Sequence, residues 1–276
     1  MSRCRVVACV DDFGLTPAID AAVATLAERG AITATSCLVN SPGICADSLR
    51  QVMQAGIDVG LHLNFTEGSP LAEPLRGFWP SFPTLPRLMA LAHARLLPFD
   101  AVASECRSQL AMFRDLAGRY PDFIDGHQHV HHLPIFRDGW LAAVGEAGIS
   151  PYVRDTSRIV GPGFALKRML IRRSGAVQLR HQLRTAGLPT VGPLVGAYDF
   201  SGGDYGARVR RWLATATAGH GQPAMLLFCH PADPSAAHSS ADPIASARVR
   251  EWSYFSSPEG PADLRAVGAE LSRGRH

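Results

Sequence analysis

The chain has a single lysine, Lys167, no Cys-x-x-Cys pair among its six cysteines, and little excess charge. It also has no apolar run approaching the roughly 20 residues needed to cross a bilayer. The N-terminal apolar run ends at Asp11, too soon for a signal peptide's apolar region plus cleavage site, and reads as a strand. Four of the cysteines sit inside apolar stretches, as small buried hydrophobes do. A reduced, cytoplasmic protein is therefore the default expectation. Twenty-seven basic against 24 acidic residues leave a formal charge of +3, too small to predict a nucleic-acid or membrane partner. The scarcity of lysine beside plentiful arginine reads as genome composition before function.

What is present is apolar material and histidine. Of 276 residues, 46% are hydrophobic and 18% charged, and the mean hydropathy is +0.03, enough to build a buried core without long disorder. This length makes one large domain or two small ones and fits an α/β barrel with no internal boundary. Short apolar runs over 6–10, 32–39, 57–65, 151–153, 190–195 and 224–229, with another at Phe123-Ile124, predict buried strands. Helical spacing separates them: Thr16 is a candidate N-cap, Pro17 suits a first helical turn, and Ile19, Ala22, Val23 and Leu26 recur on one face up to Gly30. A further helix is predicted over 134–146. Strands alternating with helices imply parallel βαβ units, in a barrel or an open doubly wound sheet. There is no internal repeat. Two segments break the rhythm. The first, 69–98, holds six prolines and the group Phe78, Trp79 and Phe82; it is either a functional loop or a capping element. The second, 232–243, follows a strand end and reads as a surface loop rather than a lid.

Eleven histidines occur, four of them between His127 and His132. Four predicted strands end in polar chemistry: Asp11-Asp12, His62-Leu63-Asn64, Asp125-Gly126-His127 and His230-Pro231. In parallel α/β folds the carboxyl ends of the strands share one face, where the active site lies. Two histidines and a carboxylate with an open position suit Zn²⁺ or a related divalent ion, and a second carboxylate can then act as general base. Such an ion brings the pKa of a bound water toward ~7 and polarises a carbonyl oxygen. Asp11 and Asp12 could split the ligand and base roles. Consecutive strand residues point to opposite faces, so both reach one site only if the strand has ended, a break Gly14 permits. The plainer readings are a turn pair for Asp11-Asp12, a satisfied core residue for His62 and a capping residue for His230. His127, His129 and His131 share a face if the strand continues. Three stacked imidazoles with no metal or charge partner would be costly to bury.

These residues resemble a known family. Asp11-Asp12-Phe13-Gly14-Leu15, Gly30-Ala31-Ile32-Thr33-Ala34-Thr35-Ser36, Gly60-Leu61-His62-Leu63, Gly68-Ser69-Pro70, Asp125-Gly126-His127-Gln128-His129-Val130-His131 and His230-Pro231 are similar, in this order, to motifs of the YdjC-like carbohydrate deacetylases. That group includes chitooligosaccharide deacetylases and a hopanoid-associated member. The resemblance implies a distorted parallel (β/α) barrel related to polysaccharide deacetylases. It would be a single domain over 1–276 with a Pro-rich insertion at about 69–98. The implied reaction removes the acetyl group from an N-acetylated sugar, releasing acetate, with one divalent ion, Zn²⁺ or Mg²⁺. Carried over by position, Asp12, His62 and His127 are the implied metal ligands, Asp11 the base and His230 the acid that protonates the departing amine. His129 and His131 are left to outer support or substrate contact. Asn64 and Trp79 join them as candidate substrate contacts. Gln128 replaces a further His of the chitooligosaccharide enzymes, so that position is not an essential ligand.

Rival readings are a phosphoester hydrolase, which usually needs more metals and carboxylates than are present, and a non-catalytic sugar-binding barrel. Within the deacetylase reading a lipid-linked (hopanoid-type) amino sugar is the alternative to an N-acetylglucosamine-containing oligosaccharide or glycoconjugate. The segment 167–184 places Lys167, Arg168, Arg172, Arg173, Arg180 and Arg184 among apolar residues. It could dock an anionic or lipid-linked sugar at a membrane. The preferred expectation is a pair of ordinary amphipathic helices with a solvated basic face, so membrane association is not favoured. A homodimer is the default oligomer.

Overall fold

The apolar runs pair side by side as parallel strands in the computed structural model, which describes residues 4–217, 224–235 and 242–274. These strands are β1 (Cys4–Phe13), β2 (Ala34–Cys37), β3 (Asp58–Leu63), β4 (Phe123–Gly126), β5 (Tyr152–Arg154), β6 (Thr190–Val191), β7 (Leu194–Val195), β8 (Met225–Cys229) and β9 (Ala269–Leu271). Their order is β6-β5-β4-β3-β2-β1-β8-β7, with β9 paired to Cys4–Val6 of β1, below Cys9 where β2 begins. The two ends of that path, β6 and β7, are joined through Gly192-Pro193, so the sheet is a nearly closed parallel barrel. This is the distorted (β/α) barrel expected. The run at 190–195, read as one strand, is two: the cis Gly192-Pro193 bond turns the chain so that Val191 pairs with β5 and Leu194 with β8.

Alternation along each strand divides the core. Val6, Ala8 and Val10 face the surrounding helices, while Val7 and Cys9 join Ala34, Phe123, Tyr152, Leu194, Leu226 and Phe228 in a second cluster with residues from seven strands. That cluster fills the barrel interior. Gly60 is required there, because a Cβ would run into the Phe123 ring. The helix Pro17–Glu28 starts as predicted, with Thr16 Oγ1 accepting from the Ile19 amide.

The proline-rich stretch is helical in part, at Glu73–Phe78 and Leu85–His93. The first helix packs against the long helix Phe99–Ala117, where Glu105 accepts from the Ala72 amide at 2.7 Å. Strand β4 does not continue through the histidines. After Gly126 the chain folds into a 3-10 helix, His127–His132, with Gln128 and His129 left-handed (φ 52° and 62°). The fold-back brings the His131 amide to 2.8 Å from where a Gly126 Cβ would stand, so only glycine fits. Of the predicted loop 232–243, residues 236–241 lie outside the described residues.

Candidate active site

Two residues beyond the interior cluster, the same strand faces turn polar. Asp11 follows Cys9, Ser36 follows Ala34, His62 follows Gly60, Asp125 follows Phe123, Arg154 follows Tyr152 and His230 follows Phe228. Period-2 geometry thus stacks a polar layer on the apolar one at the carboxyl end of the barrel.

Arg154 is the hub of this layer and is fully buried. Its Nη1 and Nη2 donate to Asp11 at 2.7 and 2.5 Å, and Nη2 lies 2.5 Å from Asp125 Oδ2 and 3.3 Å from Cys9 Sγ. Cys9, Asp11 and Asp125 could by spacing alone hold a cation, but this guanidinium already occupies that place. Burial opposes the Asp11 carboxylate. The Arg154 charge and hydrogen bonds overcome it, with help from His62 and His230, and hold the carboxyl well below its ordinary range.

Asp12 reaches the same cavity because β1 bulges. The register with β2 shifts between Val10 and Phe13, and Asp12 takes φ +71°. This is the break that two adjacent aspartates needed. Asp12 Oδ1 lies 2.9 Å from His127 Nδ1 and 3.6 Å from His62 Nε2, and Oδ2 accepts from Arg248 Nη2 at 2.9 Å. His62 is oriented from behind: its Nδ1 sits 2.6 Å from Asp125 Oδ1 and 3.0 Å from Ser36 Oγ, leaving Nε2 toward Asp12.

The residues fit one divalent ion. A donor atom from each of Asp12, His62 and His127 lies within 4.8 Å of the others. Donors about 2 Å from a tetrahedral zinc stand roughly 3.3 Å apart, and the Asp12 distances of 2.9 and 3.6 Å bracket that value. Charge agrees. Burial alone would lower the His62 pKa, yet Asp125, Asp12 and Asp11 push it up to about 10. His127 is likewise raised against burial, by Asp12 and Glu67. The cluster favours positive charge at the point where the donors converge.

His230 faces the pair from β8, its Nε2 4.0 Å from Asp11 Oδ2. Its ring packs edge-on against Phe200 and Phe228, its backbone N–H donates to Glu251 at 2.5 Å, and Nδ1 is buried without a partner. Burial, only partly offset by Asp12 and Asp11, brings its pKa down to about 4. Asp11, Asp12, His62, His127 and His230 all border one cavity of about 500 Å³, with Tyr198, Phe200 and Phe228 among its apolar walls.

The other predicted contacts are placed differently. His129 lines the cavity and packs edge-on against Phe228. His131 turns inward, its Nε2 3.3 Å from the Arg154 carbonyl, so the three imidazoles do not share a face. The 3-10 turn rotates them apart. Asn64 does not line the cavity. Its amide braces a turn, accepting from the Thr66 and Glu67 amides and donating to Asn40 Oδ1 and the Glu67 carbonyl. Trp79 is 6% exposed and packed in the core, while Phe78 is 46% exposed; neither borders the cavity. Sequence reasoning passed over Arg154, Arg248 and Glu251. Arg154 carried a signal, a charged residue closing the apolar pair Tyr152-Val153. Arg248 and Glu251 come from the helix Ala245–Phe255 and carried none.

Comparison with known proteins agrees with the motifs. The YdjC-like protein family matches residues 5–266. The chain belongs to that family. The human carbohydrate deacetylase is 31% identical, with 98% of this chain and 90% of that protein covered. The chitooligosaccharide deacetylase of Enterobacter sp. (strain 638) is 28% identical over 80% of this chain and 79% of that protein. A crystal structure of an Enterococcus faecalis V583 protein, 20% identical, superposes with a TM-score of 0.76 over 99% of this chain and 98% of that one, which shows the shared fold.

Proposed function

We propose that this YdjC-like protein is a metal-dependent carbohydrate N-deacetylase that releases acetate from an N-acetylglucosamine-containing oligosaccharide or glycoconjugate. The observation that carries the reading is the convergence, on one cavity, of a His₂Asp donor set with a second aspartate and a histidine 4.0 Å apart. The relatives' names, carbohydrate deacetylase and chitooligosaccharide deacetylase, support the substrate class.

Asp12, His62 and His127 would hold the ion, which when bound polarises the acetamide carbonyl and acidifies water. Asp11 takes a proton from the attacking water. Arg154 keeps that carboxylate ionised and its oxygens aimed, at the cost of basicity. His230 enters the reaction neutral at neutral pH. The proton that it gives to the amide nitrogen therefore comes from the attacking water by way of Asp11. The C–N bond breaks, the nitrogen leaves as an amine, and the acetyl carbon keeps the water oxygen as acetic acid, whose remaining proton passes to the amine, giving acetate and an ammonium group. Proton count closes without an outside acid.

The test is acetate release from N-acetylglucosamine, its β-1,4 oligomers and N-acetylglucosaminyl lipids, with metal analysis of the purified protein. Asp11→Asn should retain metal and lose at least about 10²-fold in turnover. Near-normal turnover in that variant, or no acetate from any substrate with metal bound, overturns the reading.

A further inference from the structure

The modest net charge conceals a strong asymmetry. Between residues 156 and 198 there are seven Lys and Arg and no Asp or Glu; elsewhere twenty basic residues face all 24 acidic ones. Much of this basic stretch folds as a helix, Ala165–Ile171, a π turn over Arg172–Ala176, and a second helix, Val177–Thr185. The second helix buries Leu179 and Leu183, as an ordinary amphipathic helix does. The first has no buried residue. Leu166, Met169, Leu170 and Val177 are 65, 40, 55 and 44% exposed, half of the large exposed hydrophobics among the described residues. The expectation of two ordinary amphipathic helices therefore fails for the first one.

At 100° per residue the first helix presents three sectors. Lys167 and Ile171 face the catalytic cavity. Arg168 and Arg172, with Arg158 and Arg180, line a separate open groove of about 640 Å³ that Met169 and Val177 also border. Leu166 and Leu170 form a ridge outside both cavities, with Met169 between it and the arginine groove. The π turn is held to the 3-10 helix that carries His127. Ser174 Oγ lies 2.8 Å from His132 Nε2, and Gly175 packs against the His132 carbonyl so closely that no Cβ fits.

We infer that this helix and its π turn form a docking surface for an anionic phospholipid bilayer, beside the catalytic cavity. Headgroup phosphates match Arg168 and Arg172 at the groove, where Arg180 is paired with Asp155 at 3.1 Å, and the leucine ridge enters the boundary between headgroups and acyl chains. A soluble polyanion would satisfy the arginines but leave the ridge in water, which singles out the bilayer. The surface is independent of the deacetylase reading, and its test has its own readout.

The test is co-sedimentation of the full chain with phosphatidylcholine vesicles with and without phosphatidylglycerol, at low and high salt. Binding is expected only to the anionic vesicles, weakening with salt. Removing one arginine should cost about fivefold in affinity, equivalent to about 1 kcal/mol each. Arg168→Gln with Arg172→Gln should therefore bind about 25-fold more weakly, and Leu166→Gln with Leu170→Gln should also lose binding. Both double variants should release acetate from a soluble substrate at the parent rate, so a loss of docking is distinguishable from a failed catalytic assignment. No binding to anionic vesicles at low salt, or binding indifferent to both double variants, overturns the inference. So does a dimer in light scattering that Leu166→Gln with Leu170→Gln abolishes, because a second copy would then cover the ridge.

Discussion

Arg154→Met is the sharpest test of how the site is built. The substitution keeps most of the apolar stem and removes the guanidinium that Asp11 and Asp125 share at 2.5–2.7 Å, in a side chain with no exposed surface. Removing one partner of a buried ion pair costs about 3–5 kcal/mol, because the remaining charge is stranded. Asp11 is the carboxylate stranded here, because Asp125 keeps His62 Nδ1 at 2.6 Å, so that range applies. At about 2.1 cal/mol/K per residue, a chain of this length unfolds with an entropy near 0.6 kcal/mol/K, and the loss corresponds to a fall of about 5–9 °C in Tm. The pH dependence has a definite sign. In the parent, the Asp11 carboxyl lies below its ordinary value, so its stabilisation is present above about pH 4 and is lost as pH falls toward the folded pKa. In the variant the buried Asp11 carboxylate lacks the guanidinium that overcame its burial and holds its proton more tightly than in the unfolded chain, so stability declines as pH rises. Scanning fluorimetry at about pH 5 and about pH 8, at matched metal content, should show the gap between parent and variant widening with pH. Arg154→Lys, which keeps the charge but not the fork, should recover part of it. A gap below about 2 °C, or one that narrows as pH rises, refutes the account of Arg154 as the cation of this layer.

Other consequences are direct. Chelation should lower Tm, and Zn²⁺ or Mg²⁺ at about 100 times its Kd should restore roughly 2.7 kcal/mol, or about 4–5 °C; Asp12→Ala and His62→Ala should abolish that response. Gly175→Ala places a Cβ against the His132 carbonyl at φ +136°, and should cost at least about 3 kcal/mol in thermal denaturation. Burial lifts the Glu251 carboxyl to about 7, against the opposing His230 amide and Tyr198 hydroxyl. A raised carboxyl loses stabilisation as pH climbs from its unfolded value, about 4.3, through the folded one, a decline on the order of 3 kcal/mol. Glu251→Gln has no such proton to lose, so its Tm deficit should shrink between about pH 5 and about pH 8; a deficit that grows contradicts this.

Much of the site was legible because strand ends advertise themselves. Asp11-Asp12, His62, Asp125-Gly126-His127 and His230 each follow an apolar run, and parallel βαβ order sends such ends to one face. The histidine segment was misread where periodicity was extended past Gly126. Spacing of two has meaning only while the chain stays extended, and left-handed Gln128 and His129 end that. Trp79 shows the same limit from the other side: an aromatic in a proline-rich stretch carries no mark of whether a helix will bury it.

Local pattern determined the alternation of strand and helix, the helix start at Thr16-Pro17, and which residues would stand at the carboxyl end of the barrel. These depend on periods of 2 and 3.6 that a short window contains. Tertiary structure decided which of them meet. Arg154 pairs with Asp11 across 143 positions and Arg248 with Asp12 across 236, through strand register and a bulge in β1 that no local window encodes. It also decided exposure. Residues 165–171 have the composition of a buried helix's face, and only the packing around them leaves that face in water, next to the cavity and clear of the core.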